Sequence, residues 1–376
     1  MRLGLVAGEA SGDLLAGLLL GGLKQRWPGL QTVGIGGPQM AAQGFQAWWP
    51  SDKLAVRGYV EVLRHYREIA GIRDALAARL LDEKPQAFIG VDAPDFNLGL
   101  EARLKAAGIP SIHFVCPSVW AWRAGRVKKL HRSCDHVLCL FPFEPDLLHA
   151  QGVAATYVGH PLADAIPLQA PREASRAALG VPDDAALVAV LPGSRRSEIQ
   201  YNAPTFLQAA REMHVRRPAL RFVLPLAPGL RPMVEPLVAA HAPDVPLQVT
   251  DGGSHAALAA CDVTLIASGT ATLEAALFRR PMVIGYKVNA ISYHLMKRMA
   301  LQPWIGLPNI LCREFVVPEL VQHACTPSAL ADAAFAWLDQ PAQGLALQRR
   351  FEDLHHRLRQ DTARRATDAI AQTLGA

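Results

Sequence analysis

No apolar segment of this chain is long enough to span a bilayer. The longest apolar run, Leu14–Leu23, covers ten residues between Asp13 and Lys24, whereas a transmembrane helix needs about 20. Glu9 follows the first short apolar stretch and would interrupt the hydrophobic core of a secretory signal peptide. Both features predict a cytosolic protein without a membrane-spanning helix.

Cysteine is scarce, and its spacing does not match a structural metal site. The six cysteines form no Cys-x-x-Cys pair, and no histidine cluster stands at zinc spacing. Because thiols of a cytosolic protein stay reduced, we expect these cysteines to lie in or near the core. The sequence therefore predicts no structural metal.

The chain also lacks the marks of a nucleic-acid-binding protein. Its net charge is +5, but it contains no dense tract of Lys and Arg and no recognition-module signature. A mild positive charge is compatible with an anionic membrane face or a phosphorylated substrate as well as with nucleic acid. We therefore expect no nucleic acid among the partners.

Two familiar nucleotide-binding fingerprints are missing from the first loop. The predicted strand Leu3–Ala7, the loop Gly8–Asp13 and the predicted helix Leu14–Lys24 resemble the opening of a doubly wound α/β domain. A P-loop would carry Lys and then Ser or Thr after its second glycine, but Asp13 follows Gly12 and would repel a phosphate. The pattern Gly-x-Gly-x-x-Gly is also absent from this turn, which argues against a dinucleotide-dependent enzyme.

The sequence instead contains strands and helices that alternate in two halves. With 376 residues, 51% of them hydrophobic and 19% charged, the chain is globular and long enough for two domains. The segment Pro161–Arg172 contains three prolines and little periodicity, so we interpret it as the connection between the halves. The predicted strands are Leu3–Ala7, Gln31–Ile35, Ala87–Val91, Ser111–Val115, His136–Leu140 and Ala155–Val158, then Ala186–Leu191, Arg221–Pro225, Leu247–Thr250, Asp262–Ala267 and Met282–Tyr286. This pattern predicts an α/β protein with parallel sheets.

The stretch Asp262–Tyr286 has the pattern of a strand, a tight turn, a short helix and a second strand. Gly269 allows a ligand to approach the backbone closely. The N–H groups of Thr270–Thr272 would stand at a helix N-terminus, where anionic oxygens bind. We expect this turn to bind a diphosphate.

Two charged side chains extend the predicted diphosphate site. Arg195 stands in the turn after the strand Ala186–Leu191, and a guanidinium makes bidentate contacts to phosphate oxygens. Glu274 lies one helical turn beyond Gly269, where an acidic side chain accepts hydrogen bonds from ribose hydroxyls. The alternative for Glu274 is an exposed acid near the positive end of the helix dipole.

Asp92 directly follows the predicted strand Ala87–Val91. Ligand chemistry in open α/β sheets takes place at the carboxyl ends of strands, so Asp92 is placed to act as a general base. An N-cap or an Asx turn ahead of Pro94 is equally consistent with its position.

Two further segments have open interpretations. After the strand Ser111–Val115, the indoles of Trp120 and Trp122 line either a sugar or acyl pocket or the core. The segment Leu54–Arg73 carries apolar residues at helical spacing with interspersed arginines. Such a helix lies in a membrane interface or covers the sheet with a solvated basic face.

Six blocks of the sequence, in order along nearly the whole chain, match one known family. They are Val6–Asp13, Gly90–Asn97, Pro117–Arg123, Leu191–Arg195, Ala267–Ala271 and Leu307–Asn309. On these blocks the chain resembles the lipid A disaccharide synthases, which are GT-B glycosyltransferases of bacterial outer-membrane biosynthesis. Ala10 stands where Thr is commoner in that family, a departure outside the matched functional positions.

The resemblance implies an α/β fold of GT-B type, with two doubly wound Rossmann-like domains facing across a cleft. The expected boundaries are 1–166 for an N-terminal acceptor-binding and membrane-facing domain and 167–340 for a UDP-sugar-binding domain. Residues 341–376 are expected to form a helical segment that packs back on an N-terminal domain.

The resemblance also implies a reaction and its residues. An inverting transfer joins UDP-2,3-diacylglucosamine to 2,3-diacylglucosamine 1-phosphate and gives a β-1,6 disaccharide 1-phosphate and UDP. The family's essential Asp corresponds to Asp92. The implied donor-binding residues are Ser194, Arg195, Ser268, Gly269, Thr270, Ala271, Glu274 and Asn309, and those of the acceptor or cleft are Glu9, Ser11, Asp13, Trp120 and Trp122. No metal or other cofactor is implied, because the fold class generally works without a divalent cation and the chain has no Asp-x-Asp pair.

Two alternatives of other kinds share the architecture, namely a UDP-sugar 2-epimerase and a non-catalytic UDP-sugar-binding protein. The partners implied by the resemblance are the two diacylated sugars and the anionic inner face of the cytoplasmic membrane, where the protein would associate peripherally. The sequence permits a homodimer but does not fix the oligomeric state.

Overall fold

The computed structural model describes residues 1–54, 59–120 and 125–375. The chain divides into two compact units, one made of Met1–Ala165 with Leu358–Ala376 and the other of Ile166–Arg357. Each unit has a parallel β-sheet with connecting helices. The predicted α/β class with parallel sheets is therefore confirmed.

The first unit contains, in its described part, a seven-stranded parallel sheet with the order β3-β2-β1-β4-β5-β6-β7. Its strands are β1 Arg2–Ala7, β2 Gln31–Gly36, β3 Gln46–Pro50, β4 Ala87–Val91, β5 Ser111–Phe114, β6 His136–Cys139 and β7 Ala155–Tyr157. Its helices up to the connection are α1 Ala10–Arg26, α2 Pro38–Ala42, α3 Tyr59–Glu83, α4 Pro94–Ala106, α5 Arg126–Ser133, α6 Glu144–His149 and α7 Pro161–Ala165.

The central strands of this sheet end side by side. Ala7 of β1 is in register with Val91 of β4, and Val91 is in register with Phe114 of β5. All residues of β4 and β5 are buried, as expected for strands covered on both faces. The residues that follow β1, β4 and β5 are therefore brought to one edge of the sheet.

The second unit holds a six-stranded parallel sheet with the order β10-β9-β8-β11-β12-β13, again counted over its described residues. Its strands are β8 Leu187–Leu191, β9 Arg221–Leu226, β10 Leu247–Asp251, β11 Val263–Ala267, β12 Met282–Tyr286 and β13 Glu319–Val321. Its helices are α8 Arg172–Leu179, α9 Arg196–Arg216, α10 Arg231–His241, α11 Ser254–Ala260, α12 Thr270–Leu277, α13 Ala290–Met299, α14 Leu307–Cys312, α15 Pro327–Asp339 and α16 Pro341–Leu358, which ends at the first unit.

The C-terminal region contains two helices. The helical segment expected over residues 341–376 is divided, because α16 ends at Leu358 and α17 spans Thr362–Leu374. Asp361 has a φ of 56°, a left-handed conformation that an α-helix cannot continue through. α17 packs against α1 in the first unit, and its first N–H groups are bound by the carboxylate of Asp164.

The strands β3 and β13 were not predicted, and each is short and lies at the edge of its sheet. Short edge strands show little alternation of apolar and polar residues, because much of their surface does not pack against the core. Among the described residues, no helix combines the length and the apolar character needed to cross a membrane.

Candidate functional site

The turn after β11 exposes backbone donors at the start of a helix. Gly269 is the N-cap of α12 and, like Thr270, is exposed. The N–H groups of Thr270 and Ala271 have no hydrogen-bond partner in the described part of the chain. No described side chain or backbone atom lies within 4 Å of a Cβ built at Gly269. The turn can therefore accept an anionic group against its backbone.

Thr272 does not contribute a free N–H group to this turn. Its N–H group donates to the Gly269 carbonyl oxygen over 3.1 Å, and its Oγ1 donates to the same oxygen over 2.8 Å. The prediction that three consecutive N–H groups are open is therefore wrong for the third. The side chain of Thr272 is buried and holds the turn in shape instead.

A second loop fixes the same turn from the side. Ser268 Oγ donates to the Ile305 carbonyl oxygen over 2.9 Å. The carboxylate of Glu319 accepts the N–H groups of Ile305 and Gly306 over 2.9 and 2.8 Å, while burial raises the pKa of Glu319. Glu319 stands on the unpredicted strand β13, and its position in sequence gives no signal for this role.

Glu274 lies on α12 and is mostly buried, with 17% of its side chain exposed. Its Oε2 is 3.3 Å from Nε2 of His255 on α11. His255 also packs edge-on against Phe278, so this imidazole orients the carboxylate from one side. Sequence reasoning did not identify His255, because its proximity to Glu274 exists only in three dimensions.

Arg195 is the N-cap residue of α9 and lies in an exposed loop after β8. The carboxylate of Glu198 organises this loop, since its Oε2 accepts the N–H groups of Ser194 and Arg195. Its Oε1 is 2.7 Å from Nη1 of Arg195. Gly193 is required here, because a Cβ would lie 2.4 Å from the Glu198 Cβ. The five N–H donors of a guanidinium form a planar fork that matches the oxygens of a phosphate.

Asn309 was predicted to bind the donor, but the structure gives it a different role. Its side chain is fully buried, and Nδ2 donates to the Val317 carbonyl oxygen and to Glu319 Oε1. Its Oδ1 accepts the N–H groups of Val316 and Val317. Because an amide has two donors and two acceptor sites, the side chain of Asn309 has no hydrogen-bonding group left for a ligand.

Asp92 in the first unit follows β4 and is only partly buried. Its N–H group donates to the Phe114 carbonyl oxygen over 2.9 Å, which ties the turn to β5. The N-cap of α4 is Ala93, so Asp92 is not an N-cap residue. Its carboxylate makes no hydrogen bond or ion pair to the residues that the structure describes, so it is available to a substrate.

The loop after β1 lies beside the Asp92 turn, because a Cβ at Gly8 would be 3.2 Å from the Ala93 Cβ. Glu9 is the N-cap residue of α1, and Ser11 stands in the first turn of this helix and is half-buried. The structure thus brings Glu9 and Ser11 to the sheet edge that carries Asp92.

Asp13 is the exception among the predicted acceptor residues. Only 2% of its surface is exposed, and its carboxylate accepts the N–H groups of Gly37, Gln39 and Met40 over 2.8, 2.9 and 3.1 Å. These bonds hold the start of α2 against α1. The prediction that Asp13 contacts the acceptor is therefore replaced by a structural role.

Trp120 lies after β5, and its indole N–H donates to Glu144 Oε1 over 2.9 Å. The ring also packs edge-on against Phe141 and Phe143, so it is anchored within the first unit.

Burial raises the pKa of Glu144 to about 7, and the thiols of Cys116 and Cys139 lie within 4.8 Å of this carboxylate. A hydrogen bond with the Cys116 thiol and burial raise the pKa of Cys139 as well. Trp122 lies outside the described residues.

Comparison with known proteins shows the family to which the chain belongs. A sequence profile of the family described as Lipid-A-disaccharide synthetase matches residues 3–373. Lipid-A-disaccharide synthase from Albidiferax ferrireducens is 58% identical over 379 residues, and that from Burkholderia pseudomallei is 55% identical over 376. Each alignment covers 100% of this chain and 97% of the relative. The chain belongs to this family.

Membership in the lipid-A-disaccharide synthase family makes the chain an enzyme, a hexosyltransferase of lipid A biosynthesis that uses a UDP-sugar and a lipid acceptor. The six sequence blocks therefore identified the family correctly. The epimerase and the binding protein are not favoured.

Solved structures share the fold at low sequence identity. UDP-GlcNAc 2-epimerase from Neisseria meningitidis superimposes with a TM-score of 0.67 at 12% identity, covering 100% of this chain and 99% of that one. MurG from Acinetobacter baumannii gives 0.58 at 15% identity, with 99% of both chains covered. At such identities the likeness shows the fold alone, and it confirms the GT-B class.

Proposed function

We propose that the chain transfers diacylglucosamine from its UDP derivative to the 6-hydroxyl of diacylglucosamine 1-phosphate with inversion at the anomeric carbon. The observation that carries this proposal is the available carboxylate of Asp92 at the end of β4. In one displacement, the acceptor oxygen attacks C1 while the bond from C1 to the diphosphate breaks. Asp92 takes the acceptor proton, and UDP leaves.

The second unit supplies the groups that stabilise the leaving UDP. Negative charge develops on the diphosphate as the bond breaks, so fixed donors around it lower the barrier. We assign that task to Arg195 and to the N–H groups of Thr270 and Ala271, which are open in the described chain. Glu274 accepts the ribose hydroxyls, with His255 beside it. These groups serve the purpose of a divalent metal in other nucleotide-sugar enzymes.

We further propose that the segment Leu54–Arg73 docks on the anionic inner face of the cytoplasmic membrane, because both substrates carry acyl chains. Arg67 is exposed, whereas Ile69 packs partly against the core of the first unit. Val60 and Leu63 lie outside the residues whose side chains the structure describes.

We also propose that the protein forms a homodimer, and sedimentation velocity tests this proposal.

Liposome co-sedimentation tests the membrane proposal. Binding should rise with anionic lipid and fall with salt, because each Arg near the surface contributes about 1 kcal/mol and is screened by ions. A variant carrying Val60→Ser and Leu63→Ser should partition less than wild type. The matched control replaces the exposed Val215 and Leu345 of the second unit by Ser. Equal losses in both variants would remove this segment from the interface.

A UDP-release assay tests the reaction itself. Incubation with UDP-diacylglucosamine and acceptor should release UDP and form disaccharide, and omission of the acceptor should abolish both. Release of a changed monosaccharide would indicate an epimerase, and binding without turnover would indicate a carrier. Addition of EDTA should leave the rate unchanged.

A further inference from the structure

The turn that carries Asp92 has an unfavourable backbone conformation. Asp92 and Ala93 have φ angles of 51° and 44°, so two consecutive residues with a Cβ adopt the left-handed region. The left-handed region brings the Cβ too close to the following carbonyl oxygen, so both residues are less stable there than in the right-handed region. A conformation of this kind persists only where the surrounding structure holds it.

The side chain that holds this turn is Asn97. It is fully buried on the first turn of α4, and its Nδ2 lies 2.8 Å from the Asp92 carbonyl oxygen. The carbonyl oxygens of Val91 and Val6 lie 3.3 and 3.5 Å from the same nitrogen. Because three carbonyl oxygens surround this end of the amide, it must be the NH₂ group that faces them. Its two hydrogens are directed at the end of β4 and the Asp92 turn.

The rest of the Asn97 surroundings fixes the amide in this place. A Cβ at Gly90 would lie 3.0 Å from the Asn97 Cβ and 2.0 Å from Glu101 Oε1, so glycine alone lets α4 approach the strand. Glu101 is in turn bound to His113 over 2.7 Å, with both side chains fully buried. The Asn97 Oδ1 has no partner among the described residues, so the donors, rather than the acceptor, account for this buried amide.

We propose that Asn97 is a positioning residue for the reaction, which holds the Asp92 turn in its left-handed conformation so that the carboxylate faces the acceptor hydroxyl. This inference rests on the proposed role of Asp92 as the base. Asn97 does not touch substrate, and its effect on turnover passes through Asp92. A misplacement of the base by about 1 Å lowers the rate by up to a hundredfold.

The first test compares two variants with a matched control. Asn97→Ala removes the amide, and Asn97→Asp keeps its size but removes the N–H donors. Both should lower kcat about 10- to 100-fold and leave the dissociation constant for UDP unchanged, because UDP is assigned to the other unit. The control is Ser111→Ala, which removes a buried hydroxyl that bonds two carbonyl oxygens at the opposite end of the same sheet. It should lower the unfolding temperature without changing kcat.

A double-mutant cycle separates positioning from general destabilisation. In an Asp92→Ala background, Asn97→Ala should cause no further loss of the residual turnover. In the Asn97→Ala background, Ala93→Gly should recover part of kcat, at least about threefold, because glycine adopts a positive φ without a steric penalty. A core-filling role for Asn97 predicts neither result.

The outcomes distinguish this inference from the proposed function. Normal turnover in Asp92→Ala would overturn both. The inference alone would be overturned if Asp92→Ala is inactive but the Asn97 variants keep a normal kcat. It would also be overturned if Asn97→Ala lowers the residual turnover of Asp92→Ala by the same factor as in wild type. Failure of both Asn97 variants to fold would also overturn it, because the amide would then be required by the fold and not by Asp92.

Discussion

The turn after β4 in the first unit and the turn after β11 in the second unit occupy equivalent places, each at the carboxyl end of the fourth strand of its parallel sheet. The first presents the carboxylate of Asp92, and the second presents the N–H groups of Thr270 and Ala271. The difference lies in the backbone. One turn forces two residues with side chains into the left-handed region, while the other uses Gly269 and leaves its donors open. One topological position thus presents either a side-chain carboxylate or backbone N–H donors.

Asp92→Asn should break this comparison most strongly. A positioned base contributes about 10²–10⁴-fold to the rate, so turnover should fall by that factor while UDP affinity is retained. The control is Asp95→Asn in the first turn of α4, which removes an ion pair with Arg126 and should change turnover far less. Steady-state kinetics and calorimetry on both folded variants check the result. Loss of UDP binding in Asp92→Asn would show that the carboxylate has another task.

In the second unit, substitutions at the predicted UDP site should lower UDP affinity. A hydrogen bond to a charged group contributes about 1.5–3 kcal/mol, so Arg195→Ala or Glu274→Ala should weaken UDP binding about ten- to a hundredfold. Arg216→Ala is the matched control. It breaks an exposed ion pair with Asp332 at the C-terminal end of α9, whose N-cap is Arg195. Unchanged UDP affinity in calorimetry would contradict the assignment of either residue.

A pH titration sharpens the comparison by acting on the first unit. The pKa of Glu144 is raised by burial from 4.5 to about 7, so the folded state retains a proton that the unfolded state has lost. Stability from this group is complete below pH 4.5 and declines as the pH rises to about 7. The decline in the free energy of unfolding should be smaller by about 3 kcal/mol in Glu144→Gln than in wild type, because one unit of pKa shift corresponds to about 1.4 kcal/mol. An identical pH profile in the variant would contradict the burial of this carboxyl.

The smallest expected effect concerns the loop that supports the anion-binding turn. Ser268→Ala removes the bond to the Ile305 carbonyl oxygen, and a neutral hydrogen bond contributes about 1 kcal/mol. UDP binding should therefore weaken about fivefold. Thr250→Val, which removes a hydroxyl bonded to the Gly252 carbonyl oxygen in the same unit, should leave UDP affinity unchanged.

Sequence reasoning reached the residues that stand directly after strands, because strand ends can be read from apolar runs and turn residues. It thereby placed Asp92, Arg195 and the Gly269 turn directly after strands, as the structure has them, while their roles in binding and catalysis stay predictions. It misjudged Asp13 and Asn309, which belong to the family's motifs but are buried and saturated with backbone hydrogen bonds. A motif identifies residues that matter without telling a ligand contact from a scaffold.

The supporting residues could not be predicted for a related reason. Glu319 reaches the Ile305–Gly306 loop from an edge strand, and His255 reaches Glu274 from another helix. Both relations depend on how helices and loops pack on the sheet. The break between α16 and α17 was missed because the helical spacing of apolar residues continues across Asp361, where only the left-handed backbone marks the end.

The buried carboxylate of Asp13 means that the first unit carries its own anion. The N–H groups of Gly37, Gln39 and Met40 converge on it, much as such groups at a helix start converge on a phosphate. The chain therefore acts here as its own ligand. Because the Asp13 carboxylate already accepts these N–H groups, they are not open to a nucleotide phosphate. Of two similar units, one thus leaves the N–H groups of Thr270 and Ala271 open in the described chain, while the other binds a comparable set to an internal carboxylate.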